Sequence, residues 1–380
     1  MRTNFATKKS FWIVTLFYFF IAFEFFYMAS PFAIYFYSVY KPGLNLINNI
    51  SALSWLTDFF LPHISEDSKS GMINILSPLG WSFLVLGLFI FIVGASQVYY
   101  CKLLKKGAVT RGLYSIIRHP QYTGFILSSF GMLLIWPRYL VLISFITMLF
   151  VYFLLAKIEE KECVSKFGEA YTVYKNRTFM FLPFSLPWIQ RIQIENLSRT
   201  KRIILYATFY LLSLFFSVVL ANGIRKGSVS SLYVSYSDNT VNLSITKTNE
   251  KLINEILTTA LNNNKVDSIL KPFKNQPNSY FINYLLPADI FYISEIPMCI
   301  PQNIDCNFAR ASKDKNLIKV IFTRAIVDNN EKIVGKEILL KTKFTSAIVE
   351  VWINTNNGEI IFIQYPQNEI RYANIPVPVF

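Results

Sequence analysis

From Gly80 to Tyr99 the chain runs for twenty residues without a charged side chain. At about 1.5 Å of rise per residue, a helix of that length covers about 30 Å, the thickness of a bilayer's hydrocarbon core. Further apolar runs lie at Phe11–Met28, Tyr122–Ile135, Tyr139–Ala156 and Ile203–Ala221. Together they predict an α-helical polytopic membrane domain with about five transmembrane helices over residues 1–222. The first run continues past Pro31 to Tyr40, and the proline predicts a kink or an end there. Its basic start (Arg2, Lys8, Lys9) also suits a cleaved signal peptide, but its length and the embedded Glu24 favour a retained span. Glu24 is read as bonded to a neighbouring helix or as lining a lipid tunnel. The short link Trp136-Pro137-Arg138 predicts a tight helical hairpin. Gly80, Gly87 and Gly94 recur every seven residues on one helix face and predict close helix packing.

A net charge of +14 raises the question of nucleic acid. The basic residues instead crowd beside the apolar runs, where they act as orientation signals. Within residues 1–222, segments 1–10, 99–121 and 157–202 carry most of them, whereas loop 41–78 has Lys41 and Lys69 and the hairpin tip has Arg138. The basic segments are therefore expected in the cytosol, in a bacterial inner membrane or in the endoplasmic reticulum of a eukaryote. With five spans, the C-terminal region then lies outside the cytosol. The chain holds two histidines and four cysteines, with no CxxC or HxxxH spacing, so no metal site is expected.

Past residue 222 the sequence becomes polar and has no run long enough to span. Leu232, Val234 and Tyr236 alternate, Asp238-Asn239 turns, and Val241, Leu243 and Ile245 alternate again, which predicts a hairpin. Leu252, Ile253, Ile256, Leu257, Ala260 and Leu261 predict an amphipathic helix. Val349, Val351 and Ile353 run into Asn357-Gly358 and then Ile360 and Phe362, a second hairpin. Residues 223–380 are thus expected to form a soluble α+β accessory domain. No catalytic motif stands out in it, and its expected role is to bind a partner or ligand that the sequence does not name. Cys299 and Cys306 either pair there as a disulfide or remain free thiols.

The chemistry gathers in two polar clusters. "RGLYSIIRHPQYTGF" (Arg111–Phe125) places Pro120 at the first turn of a helix and His119 at its cap. "KIEEKECVSKFGEAYTVYKNRTFMFLP" starts at Lys157, where the Tyr139–Ala156 span ends. Singly, each residue has a plain structural role: a basic membrane border, a solvated Glu/Lys helix end, an aromatic belt. The hairpin changes that. It begins just after His119 and ends just before Glu159, so His119, Tyr122, Glu159 and Glu160 are predicted neighbours at one membrane face.

These residues resemble the isoprenylcysteine carboxyl methyltransferase family, whose relatives include phospholipid N-methyltransferases and bacterial membrane methyltransferases of unassigned substrate. The shared pattern is carried by Gly112 and Tyr114, by Arg118, His119, Pro120, Tyr122 and Gly124, by Glu159 and Glu160, by Phe167 and Gly168, and by Tyr171 and Tyr174. It covers about residues 75–185 and leaves the C-terminal region unaddressed. The resemblance implies S-adenosylmethionine as cofactor and a lipophilic or small acceptor bearing a carboxyl, thiol or amine, reached from the membrane lipid. It implies a cofactor pocket of Lys106, Gly107, Ala108, Val109, Tyr114, Arg118, His119, Pro120, Gln121, Tyr122 and Glu159, with His119, Glu159 and Glu160 as catalytic candidates. Arg118 or Lys106 is expected to neutralise the cofactor's carboxylate. Glu160 or His119 is the expected base for an amine acceptor. Two positions depart from the pattern: Leu155 stands where the eukaryotic enzymes carry a substrate-binding arginine, and Cys163 replaces a usual leucine. The competing reading is a non-catalytic membrane anchor or sensor whose outer domain does the work.

Overall fold

A computed structural model of the chain describes residues 45–63, 67–104, 107–184, 198–276, 279–290, 316–327 and 332–365, with positions 12, 15, 16, 19, 43 and 314. Most of the expected first span, Glu24, Lys106, Cys299 and Cys306 lie outside the described residues. Contacts divide the chain into two compact units, residues 75–221 in one and residues 222–365 with the segment ending at Asn74 in the other.

The first unit is helical. Helix α1 spans Gly71–Leu103, α2 Pro120–Ile135, α3 Tyr139–Phe167, α4 Glu169–Arg177 and α5 Arg199–Val229. Three of these, α1, α3 and α5, are long and apolar enough to cross a membrane. Helix α2 has 16 residues, about 24 Å, and falls short of that length. Half of the apolar stretch of α3 is buried and none of that of α5, so among the described residues α3 is the more central of the two.

The glycine repeat has the expected consequence. A Cβ on Gly87 would collide with the Gly124 carbonyl and Ser128, and one on Gly80 would lie 2.8 Å from the Gly131 carbonyl. In return, a Cβ on Gly124 would lie 2.6 Å from the Phe91 nitrogen. Glycines on both helices thus let the α1 and α2 backbones touch. The Ser128 hydroxyl adds a bond to the Leu84 carbonyl at 3.2 Å. Helices α3 and α5 meet through aromatic rings and a 2.9 Å hydrogen bond between Thr147 and Tyr210.

The second unit is an α+β domain. Its strands are β1 Tyr233–Ser237, β2 Thr240–Ser244, β3 Tyr280–Pro287, β4 Leu317–Val327, β5 Thr342–Asn354 and β6 Glu359–Gln364. They form a six-stranded sheet in chain order. Both predicted hairpins are present, β1–β2 and β5–β6. The β2–β3 pair is parallel, which requires a crossover. Helices α6 (Glu250–Leu261) and α7 (Asn264–Lys274) supply it, capped by the Asn249 and Asn263 side chains. One sheet face packs Val241, Leu243, Ile282 and Tyr284 against Val229, Leu232 and the short helix α8 (Lys336–Lys341). The other lies beneath α6 and α7.

Residues before α1 join this second unit. The Asp67 nitrogen donates to Ile245 at 3.0 Å and the Lys69 nitrogen to Ser231 at 2.7 Å. Buried Asp58 accepts from Arg225 at 3.2 Å and Lys343 at 3.1 Å. The loop that a 1–222 boundary counts with the membrane domain therefore packs with the C-terminal residues.

Candidate active site

The two polar clusters meet at one end of the α2–α3 hairpin. His119 takes the N-cap position and Pro120 opens α2, as the sequence predicts. The segment after α4 then fastens the motif from the side. The Arg118 nitrogen donates to Phe179 at 2.7 Å, His119 to Met180 at 3.2 Å, and Phe179 back to Ile116 at 3.1 Å. The Thr123 hydroxyl donates to the Phe181 carbonyl at 2.9 Å.

The adjacent glutamates point to different tasks. The Glu160 side chain is 1% exposed and accepts from Arg118 Nε at 2.6 Å, with Lys175 Nζ at 3.1 Å. Glu159 is 35% exposed and accepts from the Tyr122 hydroxyl at 2.5 Å. His119 lies between them, Nδ1 at 3.5 Å from Glu159 and Nε2 at 3.6 Å from Glu160. Burial opposes a charge on the imidazole, but the two carboxylates outweigh it and raise its pKa. The two carboxylates thus favour the protonated imidazole, which lies within ion-pair distance of both.

Aromatic rings continue the site along α2 and α3. The His119 and Tyr122 rings are parallel with centroids 5.3 Å apart, and Tyr122 stacks on Tyr152 at 4.7 Å. Tyr174 donates to the Tyr114 carbonyl at 2.7 Å and lies beside Tyr171 at 5.5 Å. Burial pushes the Tyr174 phenol up to about 12 and raises that of Tyr114 as well, so both stay protonated.

Two expected roles change in this geometry. Arg118 engages Glu160 and the carbonyls of Lys175 and Thr178, so it holds the fold together rather than standing open to a cofactor carboxylate. Glu160 is enclosed by Arg118, Lys175 and His119, which is the wrong setting for a base that must take up a proton. Pro120 and Gln121 pack against Gly94 of α1. Gly107, Ala108 and Val109 occupy the loop before the Gly112–Ser115 turn, with Gly107 at φ +81°. Sequence reasoning missed Tyr152 and Lys175. Tyr152 lies seven residues before Glu159, two helical turns along the same face, and that spacing would have found it. Lys175 follows Tyr174 in a chain full of lysines and carries no such signal.

No curated protein and no solved structure matches the chain. Residues 79–170, which hold the α2–α3 hairpin with His119, Tyr122 and both glutamates, match the family model described as phospholipid methyltransferase, in agreement with the resemblance carried by the motifs.

Proposed function

We propose that the chain is an S-adenosylmethionine-dependent methyltransferase acting on a lipophilic or small amine, thiol or carboxyl acceptor at the cytoplasmic membrane face. The observation that carries this reading is the Tyr122–Glu159 hydrogen bond of 2.5 Å beside the His119 ring, at the open end of the hairpin. The residues fit the cofactor. A sulfonium is a cation, which a carboxylate and aromatic faces attract, and Glu159 and Tyr122 offer both. Stacked rings suit an adenine, and Lys106 with Gly107, Ala108 and Val109 would hold the amino-acid end. When bound, the cofactor supplies an activated methyl group. The protein's part is chiefly to hold acceptor and methyl in line. An amine acceptor must also shed a proton, and Glu159, the accessible carboxylate, is placed to receive it.

Leu155 bears on the acceptor. It is 1% exposed, while Lys157 is exposed and lies over the Phe153 ring at 5.8 Å. Neither offers a cation for a buried carboxylate, which favours an amine or thiol over a prenylcysteine carboxylate. The basic segments support a cytoplasmic site. The start of α1 and the end of α5 belong to the same C-terminal unit, which supports a common side of the membrane for residues 45–74 and 222–365.

The test is binding of isotopically labelled S-adenosylmethionine to purified protein, followed by label transfer into extracted lipids and small thiols. Saturable binding with transfer is expected. Absence of binding would favour the anchor or sensor reading.

A further inference from the structure

The sheet face beneath α6 and α7 changes character across its width. Strands β4 and β5 present Val320, Phe322, Val349 and Val351 to the helices, as a covered sheet should. Strands β1 to β3 present Ser237, Thr240, Asn242 and Asn283 to a cavity of about 240 Å³. Asn242 and Asn283 are register partners, and the Asn283 amide donates to Asn242 at 2.8 Å. The Asn283 oxygen, on a residue 4% exposed, has no partner among the described residues. The hydroxyl of Ser279, also on the cavity wall and 3% exposed, has none either. Buried polar atoms normally find partners, because losing water without replacement costs folding free energy. A leucine or valine at either position would close the space and remove that cost, so the polar lining is suited to a ligand.

The wall also limits what the ligand can be. Its charged residue, Lys274, pairs with Asp267 at 3.1 Å, so neutral dipoles dominate. The unpartnered Asn283 oxygen calls for a donor, and Ser279 can donate or accept, a combination that hydroxyl groups satisfy. Leu257, Leu270, Phe281 and Phe322 supply an apolar surface in the same cavity. At about 30 Å³ per water, the space holds about eight waters and is smaller than the pockets of drug-sized ligands. We propose that this cavity binds a small uncharged molecule with a hydroxylated edge and an apolar face, the chemistry of a single monosaccharide. This holds whatever the membrane unit catalyses.

The test uses the full chain, purified in a detergent without a sugar headgroup, and equilibrium dialysis with labelled glucose, galactose and N-acetylglucosamine. Glucuronate serves as the charged comparison and cyclohexanol as the apolar one. Saturable binding of at least one neutral sugar is expected, with glucuronate at least tenfold weaker. Asn283→Leu should lower the affinity at least tenfold while leaving the unfolding temperature unchanged or higher. Ser279→Val gives the same reading should that variant fail to fold. Absence of saturable sugar binding, tighter binding of cyclohexanol, or a stabilised Asn283→Leu with unaltered affinity would overturn the proposal and leave a water-filled cavity.

Discussion

Glu159 and Glu160 are neighbours in sequence, yet Tyr122 holds the first at 2.5 Å while Arg118 holds the second at 2.6 Å, and they differ in exposure from 35% to 1%. The pair therefore separates into an accessible carboxylate, the one proposed to meet the cofactor, and an enclosed one. Glu159→Gln and Tyr122→Phe should weaken S-adenosylmethionine binding about tenfold or more, roughly 1.4 kcal/mol, with little change in unfolding temperature. Titration calorimetry and thermal unfolding on the same samples check both halves.

Glu160→Ala should act mainly on stability. It leaves Arg118, whose side chain is 9% exposed, without its carboxylate. Breaking such a pair costs about 3–5 kcal/mol. Unfolding in detergent should show the loss, and Glu160→Ala folding as well as Glu159→Ala would contradict the division of roles.

His119 makes stability depend on pH. Its folded pKa is raised by Glu159 and Glu160, against the effect of burial, above the value of about 6.5 for a free imidazole. The stabilisation is fully present below that unfolded value and is lost as pH rises through the higher folded one. The unfolding temperature should fall over this window, and His119→Gln should flatten the curve there. A wild-type curve that rises with pH would refute the assignment.

The α1–α2 seam has no room for added methyl groups. Gly87→Ala and Gly124→Ala each place a Cβ against the backbone of the other helix and should destabilise by about 1–3 kcal/mol. Gly223→Ala in α5 meets nothing within 4 Å and should be neutral or slightly stabilising, since alanine is the better helix former. Thermal unfolding of the three variants tests the contrast.

Acceptor choice follows from Leu155. Label from S-adenosylmethionine should pass to an amine-bearing phospholipid or a small thiol faster than to a farnesylated cysteine analogue, by about tenfold or more if an unpaired buried carboxylate costs at least 1.4 kcal/mol. Preferred methylation of the prenylcysteine would restore the carboxyl reading.

Local patterns made much of this molecule legible. Glycines seven apart gave the α1–α2 contact, Pro120 gave the start of α2, and Val349-x-Val351-x-Ile353 before Asn357-Gly358 gave the β5–β6 hairpin. The hairpin geometry also placed His119 beside both glutamates. What could not be read depends on distant partners. Arg118 looked available because its acceptors on Lys175 and Thr178 are backbone carbonyls, which any residue could provide. Asp58 sits in an unremarkable loop, and its partners Arg225 and Lys343 lie more than a hundred residues away. The docking of residues 45–74 on the C-terminal unit left no periodic trace for the same reason.

The fastening of the motif by the chain after α4 sets the length of the smallest working piece. The family match ends at residue 170, but the carbonyls that hold Arg118, His119 and Thr123 come from Lys175, Thr178, Phe179, Met180 and Phe181. A nascent chain whose exposed part stops at residue 170 already carries every signature residue up to the glutamate pair, yet it lacks the strap that fixes their positions. The motif is thus translated before the strap that fixes it, and an excised or transplanted version is expected to need the chain through Phe181.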